Sequence, residues 1–247
     1  MRVGWGITGS GHYLFDTFDV MERVSEHFEL SCYLSSAGER VVRIYGLWDR
    51  LNEICPGGYY REIVLGSEQG ASSPLAGRFQ RGRYQVLVVS PASTNTVAKA
   101  VRGIADTLVT NAFSHARKEN VPIFVIPTDK REKEVSKLPY IINREVCREE
   151  LGKSHEKCEI LTVCPYEAIV EKDEFPTIDL TKCEGCGTCL ESCSYGAVSF
   201  GKNIETKVGE IDLENLERLK RIDSVKLLDS PKDLLEELKK VEKSKEI

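Results

Sequence analysis

Val86-Leu87-Val88-Val89-Ser90-Pro91-Ala92-Ser93-Thr94-Asn95-Thr96 is the stretch that decides the fold. Its first four residues are apolar without alternation, the pattern of a strand covered on both faces in a parallel sheet. Small and hydroxylated residues follow at once, and then a helical stretch at about 95–103. Ile123-Phe124-Val125-Ile126 has the same continuous apolar character. Working outward, strands are expected at Arg2–Ile7, Leu30–Leu34, Glu62–Leu65, Val86–Ser90 and Val121–Ile126. Helical stretches at about 14–27, 38–47, 95–103 and 107–118 lie between them. Near the end, Asp212–Arg221 and Pro231–Val241 read as helices, with Val225-Lys226-Leu227-Leu228 a short strand between them. Such alternation predicts an α/β protein built on a Rossmann-like, doubly wound parallel sheet.

In open sheets of this kind the ligand lies beyond the C-terminal strand ends. Three of those ends are rich in small and hydroxylated residues: Ile7-Thr8-Gly9-Ser10-Gly11, Leu34-Ser35-Ser36-Ala37-Gly38, and Ser90 to Thr96. Small residues let backbone amides approach a phosphate, and hydroxyls and helix N-termini supply further donors. Ordinary helix capping explains one such loop. Three at one sheet edge point to a phosphate-bearing ligand. Gly4-Trp5-Gly6-Ile7-Thr8-Gly9 formally matches a dinucleotide fingerprint, yet Gly4 and Gly6 fall inside the strand instead of after it. The second strand also ends in Ser35-Ser36 where an acidic ribose partner belongs. A mononucleotide suits these loops better than a nicotinamide cofactor.

A second signature is Cys183-Glu184-Gly185-Cys186-Gly187-Thr188-Cys189, closed by Cys193 and preceded by a remote Cys164-Pro165. C-x2-C-x2-C-x3-C gathers three thiolates on one tight turn, the grip used for a [4Fe–4S] cluster, whose fourth ligand comes from the distant Cys-Pro. Zinc needs only two C-x2-C pairs or histidines. The surrounding sequence repeats itself weakly. Ile178-Asp179 to Cys183 echoes Ile142-Asn143 to Cys147, and Cys193-Ser194-Tyr195-Gly196-Ala197 echoes Cys164-Pro165-Tyr166-Glu167-Ala168. Residues from about 140 to 202 therefore resemble a two-cluster bacterial-type ferredoxin. The resemblance implies one cluster on Cys164, Cys183, Cys186 and Cys189, with Cys193 crossing to a second beside Cys147 and Cys158. That second set has three thiolates. His155 or water as fourth ligand, a three-iron cluster, or no cluster with leftover buried thiols all remain open.

At 247 residues, 41% hydrophobic and 30% charged, the chain has room for one sizeable α/β core and a small module. No apolar run reaches the length of a membrane span, and Met1 to Trp5 reads as a strand rather than a signal peptide. Clustered cysteines point to a reducing cytoplasm. A net charge of −5 argues against nucleic-acid binding. The cysteine module, an α+β ferredoxin-like insert, is expected over 139–202, dividing a flavoprotein domain into 1–138 and 203–247.

A family resemblance gathers these signals. Gly6-Ile7-Thr8-Gly9-Ser10, Ser35-Ser36-Ala37-Gly38, Ser73-Pro74-Leu75-Ala76-Gly77-Arg78, Pro91 to Lys99 and Gly103 to Asn111 carry it. They resemble the homo-oligomeric flavin-containing Cys decarboxylase superfamily, in its archaeal archaeoflavoprotein and dihydromethanopterin reductase branch. The resemblance implies an FMN site at Gly9, Ser10, Ser35, Ala92, Thr94, Asn95 and Thr96, with Ser90 beside them, and assembly as trimers or multiples of trimers. Asp106 is a candidate flavin contact, although Asp106-Thr107 equally reads as a capping pair. Arg78 is either an anion ligand or an exposed cation. Cys32 reads as a buried core thiol, and His12 as a histidine following the phosphate loop. The implied function is an FMN and iron–sulfur oxidoreductase that takes electrons from ferredoxin and reduces a pterin, dihydromethanopterin. The alternatives are an electron-transfer hub serving other proteins and a thiol-oxidising decarboxylase, whose chemistry needs no iron.

Overall fold

A computed structural model of the chain describes residues 1–70, 74–154 and 158–244. It divides into two compact units. The first comprises Met1–Val41, Asp49–Val135 and Glu205–Ile247, and the second Val42–Trp48 and Ser136–Ile204.

In the first unit the chain runs through β1 (Arg2–Ile7), α1 (Leu14–Ser25), β2 (Glu29–Leu34), α2 (Ser36–Ile44) and α3 (Trp48–Ile54). It continues through β3 (Ile63–Leu65), α4 (Gly66–Gln69), β4 (Val86–Ala92), α5 (Thr94–Arg102), α6 (Leu108–Lys118) and β5 (Ile123–Pro127). After the second unit it returns as α10 (Glu210–Leu219), β12 (Val225–Leu227) and α11 (Leu234–Ser244). The six strands form one parallel sheet in the order β12-β5-β4-β1-β2-β3. Strand order reverses between β1 and β4, and that switch point is where such sheets open a crevice at their C-terminal edge.

β1, β2, β4 and β5 are buried almost throughout, as the continuous apolar runs of β4 and β5 require. Gly4 and Gly6 have packing roles inside β1. A Cβ on Gly4 would stand 2.3 Å from Cζ of Phe79, and one on Gly6 would stand 2.8 Å from Cγ1 of Val109 on α6. The fingerprint-like glycine spacing is therefore steric in origin. β4 runs two residues beyond the strand expected from sequence, through the cis Ser90–Pro91 bond to Ala92.

In the second unit, β7 (Ile141–Ile142) pairs with β10 (Val198–Ser199), and β8 (Ile169–Lys172) with β9 (Phe175–Ile178). Helices α7 (Arg144–Ser154), α8 (Ile160–Val163) and α9 (Thr188–Glu191) complete it. The chain passes between the units on paired strands β6 (Lys133–Lys137) and β11 (Asn203–Lys207). The sequence repeat is a structural repeat. Asn143 donates its amide to Ala197 O at 2.8 Å, and Asp179 donates its amide to Ala168 O at 2.7 Å. Cys147 N reaches Asn143 O, as Cys183 N reaches Asp179 O. Glu167 and Gly196 occupy matching turns, with φ of 50° and 63°. None of the described helices is long and apolar enough to cross a membrane.

Candidate functional site

At the switch point of the first unit lies a cleft of about 400 Å³ lined by the ends of several elements. Gly9 comes from the loop after β1, Ser35-Ser36-Ala37 from the start of α2, and Thr94-Asn95-Thr96 from the start of α5. Asp106-Thr107-Leu108 opens α6 against the same space, with Gly66, Gly70 and Ser93 completing the wall.

Each loop is held by its own polar residues. Thr8 Oγ1 donates to Pro91 O at 2.6 Å and accepts from Ser93 N at 2.8 Å, tying the end of β1 to the end of β4. Ser35 Oγ accepts from Gly38 N at 3.0 Å and so caps α2. A Cβ on Gly38 would stand 2.3 Å from Ile7 O, so the two loops meet closely. Ser93 and Thr96 share a hydroxyl hydrogen bond of 3.1 Å across the first turn of α5. Thr107 and Thr110 form a reciprocal capping box at the start of α6. Asp106 is ion-paired with Lys99 at 2.9 Å.

Three helix N-termini thus face one small volume, and among the described residues no Lys or Arg lines it. Orphan amide donors and aligned dipoles at such ends favour an anion. A phosphate fits this lining, and the residues suit the end of FMN that carries one. A larger hollow of about 620 Å³ opens beside α10, but Glu210, Glu214 and Glu217 line it together with Lys130, Arg131 and Lys220. Together with Asp229 the carboxylates outnumber those cations and disfavour a phosphate there, whereas Asp106 in the smaller cleft is already paired with Lys99.

Of the residues expected to hold FMN, Gly9, Ser35, Thr94, Asn95, Thr96 and Asp106 are brought together in the cleft. Ser10, Ser90 and Ala92 do not line it. Ser10 accepts from His12 N at 3.3 Å. Ser90 is fully buried, shares a 2.8 Å hydroxyl bond with Thr17, and its carbonyl accepts from Trp5 Nε1 at 2.9 Å. Ala92 is buried at the end of β4. Sequence reasoning missed Gly66 and Gly70; the signal for Gly66 was a glycine directly after β3 at the same sheet edge, and Gly70 ends the short helix that follows. His12 is half-buried, and burial lowers its pKa against the opposing pull of Glu134 and Asp129. Arg78 is paired with Glu62 at 3.0 Å. Cys32 is fully buried, and Cys55 donates to Leu30 O at 3.4 Å.

In the second unit the cysteines separate into two sets by mutual influence. Burial, followed by Cys183, Cys186 and Cys164, pushes the Cys189 thiol up to about 11. Burial, followed by Cys158 and Cys193, raises Cys147. Cys158 is likewise raised by burial and by Cys193. Cys183, Cys186 and Cys164 thus act on Cys189, and Cys193 acts on Cys147 and Cys158. All nine cysteines are free thiols. Thiolates gathered close together repel one another unless a cation relieves them, as an iron cluster does. Among the described residues, no three His, Cys, Asp or Glu side chains converge as they would on a single ion. A cube with iron at several corners seats its thiolates further apart than one tetrahedral ion does. The Ala168 amide donates to Cys164 Sγ at 3.4 Å, and Thr188 and Cys186 share a hydrogen bond of the same length. His155 lies outside the described residues.

The Flavoprotein family model matches residues 1–173, and a 4Fe–4S binding domain model matches residues 175–198. A Methanosarcina mazei protein named dihydromethanopterin reductase (acceptor) is 44% identical over 239 residues, covering 95% of this chain and 98% of its own. A Methanocaldococcus jannaschii protein of the same name is 44% identical over 240 residues, covering 96% and 95%. Among solved structures, Burkholderia xenovorans DmrB in complex with FMN, described as a cubic protein cage for redox transfer, shares the fold. Its TM-score is 0.62 at 23% identity, over 100% of this chain and 97% of that one. By descent and by fold, the chain belongs to the Flavoprotein family, as an oxidoreductase that carries a 4Fe–4S domain within its length.

Proposed function

We propose that the chain takes single electrons from a low-potential donor such as ferredoxin, relays them through clusters on its cysteine sets, and reduces dihydromethanopterin to tetrahydromethanopterin with FMN. The observation that carries this reading is the union, in one chain, of a cation-free anion cleft with two cysteine sets. The full-length likeness to two proteins named dihydromethanopterin reductase (acceptor) supplies the substrate class. FMN, when bound, converts single electrons into the hydride equivalent that a C=N bond accepts.

The chain's own contribution is positioning. Amides at the starts of α2, α5 and α6 would hold the phosphate, and Thr8 locks two of the surrounding loops together. Cys164, Cys183, Cys186 and Cys189 would hold one cluster, and Cys147, Cys158 and Cys193 a second, incompletely ligated one. We read the protein as a cytoplasmic homo-oligomer, since nine free thiols suit a reducing compartment.

Anaerobic turnover tests the reading. Protein reduced through ferredoxin or a low-potential dye is mixed with dihydromethanopterin, and flavin absorbance and product are followed. Reoxidation with stoichiometric tetrahydro product is expected. Flavin that stays reduced until a second protein arrives would instead establish an electron-transfer hub.

A further inference from the structure

The loop carrying the complete cysteine set is clasped by residues far away in the chain. Val42–Trp48 belongs to the same compact unit as that loop. Gly46 and Gly185 meet backbone to backbone, both at positive φ, 69° and 66°. A Cβ on Gly185 would stand 2.3 Å from Gly46 N and 2.8 Å from Arg43 O, and one on Gly46 would stand 2.6 Å from Gly185 O. No residue but glycine fits either side of this contact.

The contact brings one charge pair to the loop. Arg43 Nη1 donates to Glu184 Oε2 at 3.1 Å, and both side chains are 23% exposed. The guanidinium also lies 3.7 Å above the Trp48 ring, which fixes its plane. Glu184 follows Cys183 directly in the chain. Aromatic packing braces the same region. Tyr45 meets Phe200 edge-on at 6.0 Å, and Phe200 stacks on Tyr140 at 4.4 Å.

The reduction potential of an iron–sulfur cluster depends on nearby charge, hydrogen bonds and solvent exposure. A carboxylate beside the cluster opposes the arriving electron, and a cation held against that carboxylate removes the opposition. We propose that Arg43 is a positioning residue that neutralises Glu184 and thereby holds up the reduction potential of the complete cluster. This rests on the reading that Cys164, Cys183, Cys186 and Cys189 carry a cluster. On reduction the cluster gains one electron from the external donor, and no bond forms or breaks at Arg43 or Glu184.

The test is a redox titration of the iron-loaded protein followed by electron paramagnetic resonance, with iron content measured in parallel. Arg43→Gln removes the cation that faces Glu184 and should lower the equilibrium constant for reduction about tenfold, as for a unit charge roughly 10 Å away at an effective dielectric of about 20. For a one-electron couple that is about 59 mV. Glu184→Gln removes the carboxylate that faces Arg43 and should shift the potential upward by a similar amount. The double variant should return close to the original value. A purely structural clasp would not produce opposite signs that cancel. Singles that shift together, or that leave the potential unmoved, overturn the proposal. If Arg43→Gln loses iron, Glu184→Gln carries the test alone, and a downward or absent shift refutes it. Native protein without four irons at this set, about four per chain being one cube, would instead remove the underlying reading.

Discussion

Replacing Thr8 by valine should loosen the cofactor cleft at its root. The side chain is 1% exposed, and its hydroxyl serves Pro91 O at 2.6 Å and Ser93 N at 2.8 Å. Valine keeps the shape and strands both partners. Each stranded buried group costs about 1–3 kcal/mol, so the pair costs about 2–6 kcal/mol. Ser93 is only half-buried and water can reach its amide, which places the expected loss near the lower part of that range, about 3 kcal/mol. For a chain of this length that lowers the melting temperature by roughly 6–12 °C. Thr8→Ser keeps both hydrogen bonds and loses one methyl group, about 1 kcal/mol. Because Thr8 sets the spacing of two cleft loops, the valine variant should also bind FMN at least about tenfold more weakly, equivalent to about 1.4 kcal/mol. Thermal denaturation of cofactor-free protein and a flavin fluorescence titration measure the two effects. If valine behaves like serine in both, Thr8 is not the tie between the loops and the reasoning fails.

Other perturbations address other parts of the molecule. Gly185→Ala should empty the complete cysteine set while FMN stays bound, because its Cβ would stand 2.3 Å from Gly46 N; unchanged iron content would contradict the clasp. Glu167→Gly should stabilise the second unit by about 1 kcal/mol, since a side chain at φ 50° is strained where the matching turn uses Gly196; urea denaturation reads it, and a loss of stability would count against the repeat. His12 has a pKa lowered by burial from its ordinary 6.5, so the unfolded chain binds the proton first as pH falls. Stability should therefore drop as pH falls from 6.5 to the lower folded value, and His12→Asn should flatten that slope; a slope unchanged by the substitution refutes it. Anaerobic iron analysis should give about seven or eight irons per chain, depending on whether an outside ligand completes the second set, and about four would reject a second cluster.

The central sheet was legible because its strands are covered on both faces, so β4 and β5 carry continuous apolar runs, and the alternation of strand and helix around them fills in β1 and β2. β6 and β11 were not legible. Lys133–Lys137 and Asn203–Lys207 are charged and mostly exposed, and only their pairing makes them strands. The extension of β4 through Pro91 ran against the rule that proline disfavours a central strand, so Pro91 and Ala92 read as loop residues. Gly9, Ser35 and Thr94 to Thr96 were readable as residues of one cleft because they end strands or start helices at the same sheet edge. The two cysteine sets were legible from spacing and repeat. The attachment of Val42–Trp48 to the second unit was not, because a tertiary contact between two glycines leaves no periodic trace.

The cleft draws its positive character from the direction of the chain. Each helix start is equivalent to roughly half a positive charge, so three of them present about one and a half charges to one hollow. Peptide dipoles do not titrate, and exchanging a lining side chain does not remove them. Raising the pH through the lysine range, which would discharge a lysine-built phosphate site, leaves this one charged. An empty cleft is therefore a place of electrostatic tension that the folded protein cannot relieve by losing a proton. Its attraction for an anion would be written in the path of the backbone rather than in the side chains that line it.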